Sequence, residues 1–283
     1  MNIPFNIDLK NKVAVVTGGG GVLCSGFAKA LAICGAKVAI LDLRLEAAQA
    51  VADEINAAGG EAIGVAANCL EKKSLEEAHA NVLAKFGKCD ILLNGAGGNH
   101  PKGTTTKEYY NPGDIDNKDL ISFFDLEPEG IGFVLNLNFM GTLLPTQEFA
   151  KDMIDREGCS IINISSMNAF KPLTKIPAYS AAKASVSNFT QWLAVHFAPV
   201  GIRVNAIAPG FFVTEQNYKL LFDEAGNPTE RSNKILMHTP LGRYGTPDDL
   251  TGTLLWLVSN EASKFVTGVV IPVDGGFSAY SGV

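Results

Sequence analysis

Tyr179 and Lys183 stand four residues apart in the run AYSAAK, and Ser165 and Ser166 close a β-branched run upstream, SIINIS. On a helix that spacing stacks the phenol and the ammonium on one face, one turn apart. A positive charge so placed favours phenolate and lowers the tyrosine pKa toward working pH. A phenol tuned in this way gives or takes a proton at an alcohol or carbonyl oxygen, and a serine hydroxyl facing it holds the same oxygen. Tyr179 is therefore read as an acid/base, with Ser165 or Ser166 as its companion.

A second constellation lies near the start of the chain. Thr17 runs into Gly18, Gly19, Gly20 and Gly21 before an amphipathic stretch over residues 22–34. Where side chains are missing, backbone N–H groups can approach a pyrophosphate, and the positive end of the helix dipole faces it. Gly18, Gly20, Gly21, Val22 and Leu23 are the residues expected there. A tight turn also needs glycine, so Asp42, at the end of the next β-branched run, carries the inference further. Its carboxylate can accept hydrogen bonds from both hydroxyls of an adenosine ribose and repels a 2′-phosphate, which favours NAD over NADP. Capping of the following helix is the competing role for Asp42, and Arg44 two residues on leaves room for NADP. Asn68 and Cys69, past the third run, are expected along the adenine edge, with a simple turn as the alternative for Asn68.

The elements that must position these groups are legible as β-branched runs separated by helical stretches. They begin at Lys12, Lys37, Glu61, Asp90, Ser160, Arg203 and Val269. Alternation of this kind is the mark of a parallel sheet. Runs that are apolar on successive residues fit strands covered on both faces, so the expected fold is α/β: a Rossmann-type doubly wound sheet of about seven strands in one domain spanning residues 1–283. Two stretches, residues 99–132 and 211–240, break the rhythm with Gly, Pro, Thr, Asn and charges. The first reads as an inserted loop with some helix, the second as two short helices around a GNPT turn. Both follow strand C-terminal ends, where open α/β sheets bind ligands, so both read as substrate loops.

Together Thr17-Gly18, Asp42, NGAG from Asn94, Asn138, Ser166, Tyr179 to Lys183 and Pro209-Gly210 make the chain resemble the short-chain dehydrogenase/reductase family over nearly its whole length. The resemblance implies a catalytic tetrad. Tyr179 would be the acid/base, Lys183 would bind the nicotinamide ribose and tune Tyr179, Ser166 would orient the substrate oxygen, and Asn138 would hold a proton-relay water. It also implies that Asn94, Gly95, Ala96 and Gly97 brace the fourth strand beside the cofactor, and that Pro209, Gly210, Phe212 and Thr214 wrap the nicotinamide amide. The chain departs from the family at its glycine turn, where Val22 and Cys24 stand in place of the second and third glycines.

Within the family, the insertion after NGAGGNHP, the run APGFFVTEQN, the stretch HTPLGRYGTPDDL and the ending DGGFSAYSGV resemble the D-mannonate oxidoreductases, or fructuronate reductases. That likeness implies interconversion of D-fructuronate and D-mannonate with NAD(H); gluconate 5-dehydrogenases and other sugar-acid enzymes share much of the pattern. A polyhydroxy acid needs a cation for its carboxylate and amides or hydroxyls for its chain. Asn99, His100 and Lys102 follow the fourth strand, and Asn168 and Lys171 follow Ser166, so these five are the expected substrate contacts, with Lys171, or Lys102 with His100, reading the carboxylate. The resemblance also implies a homotetramer, with the helix from Pro247 and the strand near Val269 as contacts.

Composition excludes several other classes. With 283 residues and a net charge of -6, the chain lacks the clustered Lys and Arg that nucleic-acid binding draws on. No apolar run reaches the roughly 18 residues of a membrane span. The start of the chain lacks a basic region followed by an apolar one, so no secretion signal is read. The five cysteines are scattered, and the four histidines show no ligand spacing, which points to reduced thiols, a cytoplasmic protein and no catalytic metal. The rival of a different class is a cofactor-binding protein that has lost its chemistry.

Overall fold

The computed structural model describes residues 6–282, apart from the side chains of residues 215 and 216. Seven strands form one parallel sheet: β1 (Val13–Thr17), β2 (Lys37–Asp42), β3 (Glu61–Ala66), β4 (Ile91–Asn94), β5 (Ser160–Ile164), β6 (Arg203–Pro209) and β7 (Val270–Val273). Their spatial order is β3-β2-β1-β4-β5-β6-β7. Each of the seven β-branched runs is one of these strands.

The strands are apolar throughout because each face carries helices. Ala14 and Val16 of β1 join Ile91, Leu93 and Ile162 under α1 (Val22–Ile33), α2 (Leu45–Ala57) and, further along the chain, α9 (Pro247–Val258). Val13 and Val15 point the other way and meet Leu92 and Ile161 under α3 (Lys72–Phe86), α5 (Gly141–Phe149) and α6 (Pro177–Phe197). A side-chain period of two thus sends neighbouring residues into separate cores. Between β1 and β4 the winding reverses, which opens a crevice at the C-terminal ends of the strands. Thr17, Asp42, Asn94 and Pro209 all end strands there, and Ser165 and Ser166 follow β5 at the same end.

The first irregular stretch contains three short 3-10 turns and then the start of α4 (Pro128–Leu135). The second carries α7 (Glu215–Leu221) and α8 (Glu230–Met237) around the expected turn. The two stretches touch: Lys234 of α8 lies 3.4 Å from the Glu108 carboxylate. The first stretch is also pinned to the segment before α6, where the Thr105 N–H donates to the Lys175 carbonyl at 2.9 Å.

One buried polar cluster ties α3 to the end of α5, below the site. His79 of α3 places Nδ1 2.8 Å from Glu148 Oε1 and Nε2 2.9 Å from Asp152 Oδ2. Burial pushes the Glu148 carboxyl up, but Lys151 at 2.6 Å and His79 outweigh it and hold the group below its ordinary value. A carboxylate depressed in the folded state contributes stability that is fully present above its unfolded pKa and is lost as pH falls through the folded value. Between about pH 5 and pH 3, the Tm of the wild type should therefore fall more steeply than that of Glu148→Gln. Parallel slopes in thermal melts would remove this cluster from the acid response.

Candidate active site

The glycine turn places backbone where a pyrophosphate would lie. Gly18 adopts φ +63 and packs so tightly on the β4 side that an added Cβ would stand 2.9 Å from the Ala96 Cα. A left-handed residue with no room for a side chain must be glycine. Gly21 precedes α1 without a side-chain cap, and the first turn of the helix holds no acidic residue. The N–H groups of Val22, Leu23 and Cys24 thus present an uncompensated positive helix end to the crevice. Val22 is exposed, whereas Leu23 leans on the core.

Cys24 replaces the expected third glycine, and the bulk is taken up across the crevice: a side chain at Gly95 would collide with the Cys24 sulfur. Burial pushes the Cys24 thiol up to about 12, so this sulfur is an inert packing group. Thr17 braces the same strand end. Its Oγ1 accepts from the Gly95 N–H at 3.1 Å and the Ala96 N–H at 3.3 Å.

Asp42 does not cap the following helix. Its Oδ2 accepts from the Gly20 N–H at 3.1 Å, and its Oδ1 accepts from the Arg44 N–H at 3.1 Å. The carboxylate therefore anchors the glycine turn from beside it, and a Cβ on Gly20 would lie 3.0 Å from Oδ2. Arg44 turns its Nε toward the same carboxylate, at 4.0 Å, while remaining largely exposed. These residues fit a dinucleotide with an unphosphorylated ribose: an uncapped helix end for the pyrophosphate and a carboxylate for the hydroxyls.

Asn68 shapes a turn. Its Oδ1 accepts from the Leu70 N–H at 3.0 Å and its amide donates to Glu71 at 2.8 Å, which uses both ends of the side chain locally. Cys69 is buried beside Thr17, and burial raises its thiol to about 11.

On the other side of the crevice, Asn138 sits in a π-helical turn, Asn136–Met140, between α4 and α5. Such turns interrupt a helix and are frequent at functional sites. The Asn138 amide donates to Val134 O at 2.7 Å and Gly98 O at 2.8 Å, and its Oδ1 accepts from the Gly98 N–H at 3.3 Å. The helix break is thereby stitched to the chain beyond β4. Its own carbonyl accepts the Thr142 hydroxyl at 2.9 Å.

Lys183 Nζ donates to the Ile164 carbonyl at 2.8 Å and faces the Tyr179 ring, 5.6 Å from its centroid. A Cβ on Gly97 would stand 2.6 Å from Asn138 Oδ1 and 3.1 Å from Lys183 Nζ. Gly97, Asn138 and Lys183 therefore converge in one spot beside Tyr179. The two serines separate here. Ser165 is structural, bonding Ser187 at 2.7 Å and the Lys183 carbonyl at 3.2 Å, whereas Ser166 begins the next turn and faces Tyr179.

The expected lowering of the phenol by Lys183 is not what the structure shows. Burial dominates and pushes Tyr179 above its ordinary value, with the Ser166 hydroxyl acting against it. Burial also lowers Lys183 to about 8. The ammonium addresses the ring face and a main-chain carbonyl, so desolvation decides both groups. Tyr179 is consequently held as the protonated acid at neutral pH.

Asn94 braces β4 through a polar chain that sequence reading did not include. Its amide donates to Thr146 and to Asn163, both at 2.9 Å, and Asn163 donates to Thr190 of α6 at 2.9 Å. An Asn inside the apolar run SIINIS was the available signal, because a buried amide needs partners. Near β6, Gly210 is pressed on Asp274, where a Cβ would lie 2.6 Å from its Cα, and its N–H donates to Val273 O at 3.0 Å. Pro209 and Gly210 thus turn the chain toward the crevice. Phe212 is buried against Gly245, and its carbonyl accepts from Asn217, which also accepts the Thr214 N–H at 2.8 Å. Phe212 anchors this turn through its side chain.

Two of the expected substrate contacts are committed elsewhere. Lys102 pairs with Glu127 at 2.9 Å and with Glu129 at 3.3 Å, so a substrate carboxylate would compete with two carboxylates for its charge. Asn99 donates to Thr104 at 3.0 Å. His100 accepts the Lys102 N–H through Nδ1 at 3.2 Å and packs on Phe133. Lys171 is exposed, and Asn168 is buried two residues past Ser166, its amide bonded to no described residue.

Two outcomes follow from this packing. Gly97→Ala should lower kcat/KM by about 10-fold or more, because displacing Asn138 and Lys183 misplaces the reacting groups, and overpacking should cost about 1–3 kcal/mol. Wild-type kinetics in that variant would contradict the convergence. Lys183→Met should lose activity yet raise Tm at pH 7, since a basic group lowered to about 8 destabilises the fold wherever it is charged. The advantage should shrink as pH rises through that value, and melts at pH 7 and pH 10 would detect it; a lower Tm at pH 7 would contradict it.

Comparison with known proteins agrees with this geometry. The family model described as short chain dehydrogenase matches residues 12–224. The chain is 59% identical over 283 residues to an uncharacterized oxidoreductase of Haemophilus influenzae, covering 100% of this chain and 99% of the relative. It is 53% identical over 281 residues to the uncharacterized oxidoreductase UxuB of Bacillus subtilis, covering 99% of this chain and 100% of the relative. A crystal structure from Haemophilus influenzae, provisionally named a D-mannonate oxidoreductase and holding bound NAD, matches with a TM-score of 0.95 at 58% identity, covering 100% of both chains. The chain belongs to the short-chain dehydrogenase family and is an oxidoreductase.

Proposed function

We propose that this oxidoreductase uses NAD(H) to interconvert D-fructuronate and D-mannonate, with Tyr179 as the proton-transferring group. The observation that carries the reading is the convergence of Tyr179, Ser166, Lys183 and Asn138 beside an uncapped helix end flanked by Asp42. The likeness to an NAD-bound relative named for D-mannonate supports both the cofactor and the substrate.

A nicotinamide dinucleotide, when bound, would supply the hydride to the substrate carbon in reduction and accept it in oxidation. The remaining work belongs to the chain. Tyr179 donates its hydroxyl proton to the substrate carbonyl oxygen during reduction and takes it back during oxidation. Ser166 holds the same oxygen as negative charge grows on it, which stabilises the transition state more than the ground state. Lys183 keeps a positive charge beside the phenol ring, and Asn138 holds a water on the path to solvent. Asp42 receives the ribose hydroxyls. Asn168, buried and without a described partner, faces the polyhydroxy chain.

The test is a steady-state screen of D-fructuronate, D-tagaturonate and 5-ketogluconate with NADH and NADPH. D-fructuronate with NADH should give the highest kcat/KM; a higher value for another acid would displace the substrate, and preference for NADPH would displace the role of Asp42. Tyr179→Phe should retain NADH binding by fluorescence while turnover falls about 10³-fold or more. Retained turnover would refute the acid/base role. As part of the same proposal the protein is a homotetramer, with the half-exposed edge strand β7 and α9 as contacts; sedimentation would measure it.

A further inference from the structure

A carboxylate on the substrate requires a cation that other groups have not already neutralised, and four basic side chains around the crevice are neutralised, whereas Lys118 and the half-buried Arg231 form no ion pair among the described residues. Lys102 is held by Glu127 and Glu129, Lys107 by Asp114 at 2.6 Å, Lys234 by Glu108 and Glu230, and Arg243 by both oxygens of Asp249 at 2.7 Å. The segment between Ser166 and Tyr179 holds two lysines, Lys171 and Lys175, and neither forms an ion pair among the described residues. Lys171 is exposed, where a solvated ammonium discriminates weakly.

Lys175 differs in three ways. It is half-buried, so water competes less for its charge. It adopts φ 72, a left-handed conformation that a side chain with a Cβ occupies only when its surroundings enforce it. The enforcing contact is visible: its carbonyl accepts the Thr105 N–H at 2.9 Å, and one turn on, Ala178 Cβ lies 3.7 Å from where a Cβ on Gly103 would stand. The first irregular stretch therefore clamps the chain just before Tyr179, in a conformation that ordinary lysine propensity disfavours. An uncommon backbone conformation close to a candidate catalytic group is grounds for a functional hypothesis about the residue that holds it.

We propose that Lys175 reads the substrate carboxylate and makes this enzyme prefer sugar acids to neutral sugars, an inference that rests on the sugar-acid reading above. The charge-assisted bond fixes one end of the substrate while Ser166 and Tyr179 fix the carbonyl, which sets the carbon presented for reaction.

The experiment compares the wild type with Lys175→Met, Lys175→Arg, Lys175→Gly and Lys171→Met, using D-fructuronate and the neutral ketose D-fructose. Loss of one charge-assisted hydrogen bond should lower the acid-to-neutral selectivity of Lys175→Met by about 10–100-fold, through KM more than kcat. Lys175→Arg should recover most of it. Lys175→Gly should show the same selectivity loss together with an unchanged or higher Tm, because glycine adopts the left-handed conformation without strain. A merely structural lysine would not separate the two readouts. Wild-type selectivity in Lys175→Met and Lys175→Gly, or a loss confined to Lys171→Met, would overturn the assignment while leaving the sugar-acid reading intact. A wild type inert toward every acid in the earlier screen would overturn both.

Discussion

The ammonium of Lys183 is buried with no carboxylate beside it, and the layout of the site follows from how that charge is accommodated. It bonds one main-chain carbonyl, at Ile164, and faces one aromatic ring. A lone buried charge is costly, and burial accordingly draws its pKa down to about 8. The space around it is therefore closely shaped: glycine at position 97, because a side chain there would strike both Nζ and Asn138, and Asn138 held by three bonds to its neighbours. The same desolvation keeps Tyr179 protonated. Two groups that a simple charge-pair argument would couple are each governed chiefly by their removal from water.

Around that centre, the chain holds the strand ends together with neutral hydrogen bonds. Thr190, Asn163, Asn94 and Thr146 link α6, β5, β4 and α5 in one buried relay, and Thr142 continues it to the Asn138 carbonyl. Buried networks of this kind favour one arrangement, because slipping any element leaves donors without acceptors. The relay also accounts for the register of the π-helical turn. The extra residue in that turn places the Asn138 amide where it reaches Val134 O and Gly98 together.

The cofactor side shows how a departure from family pattern is absorbed. Cys24 fills space that the third glycine leaves empty, and the absence of a side chain at Gly95 opposite admits its sulfur. Asp42 then does two jobs, steadying the turn through Gly20 and leaving carboxylate lone pairs for ribose hydroxyls. On the substrate side, the irregular stretches pair with each other through Glu108 and Lys234 and with the catalytic helix through Thr105 and Lys175. The first irregular stretch is thus tied to the segment that leads into α6.

The sequence by itself determined the sheet, because each strand is a run of β-branched residues and periodicity is a local property of the chain. It also marked the candidate reactive pair, since Tyr179 and Lys183 are one helical turn apart and their types limit what they can do. It marked the two irregular stretches by composition. Only the tertiary structure decided between Ser165 and Ser166, because the partners that make one structural, Ser187 and the Lys183 carbonyl, lie on another element. It showed local partners for Lys102 and Asn68 that the sequence does not reveal, Glu127 and Glu129 for the first and Leu70 and Glu71 for the second, because which neighbours meet is decided by packing. It reversed the expected shift of Tyr179, since desolvation depends on everything that surrounds a group, and a spacing of four residues carries none of that information.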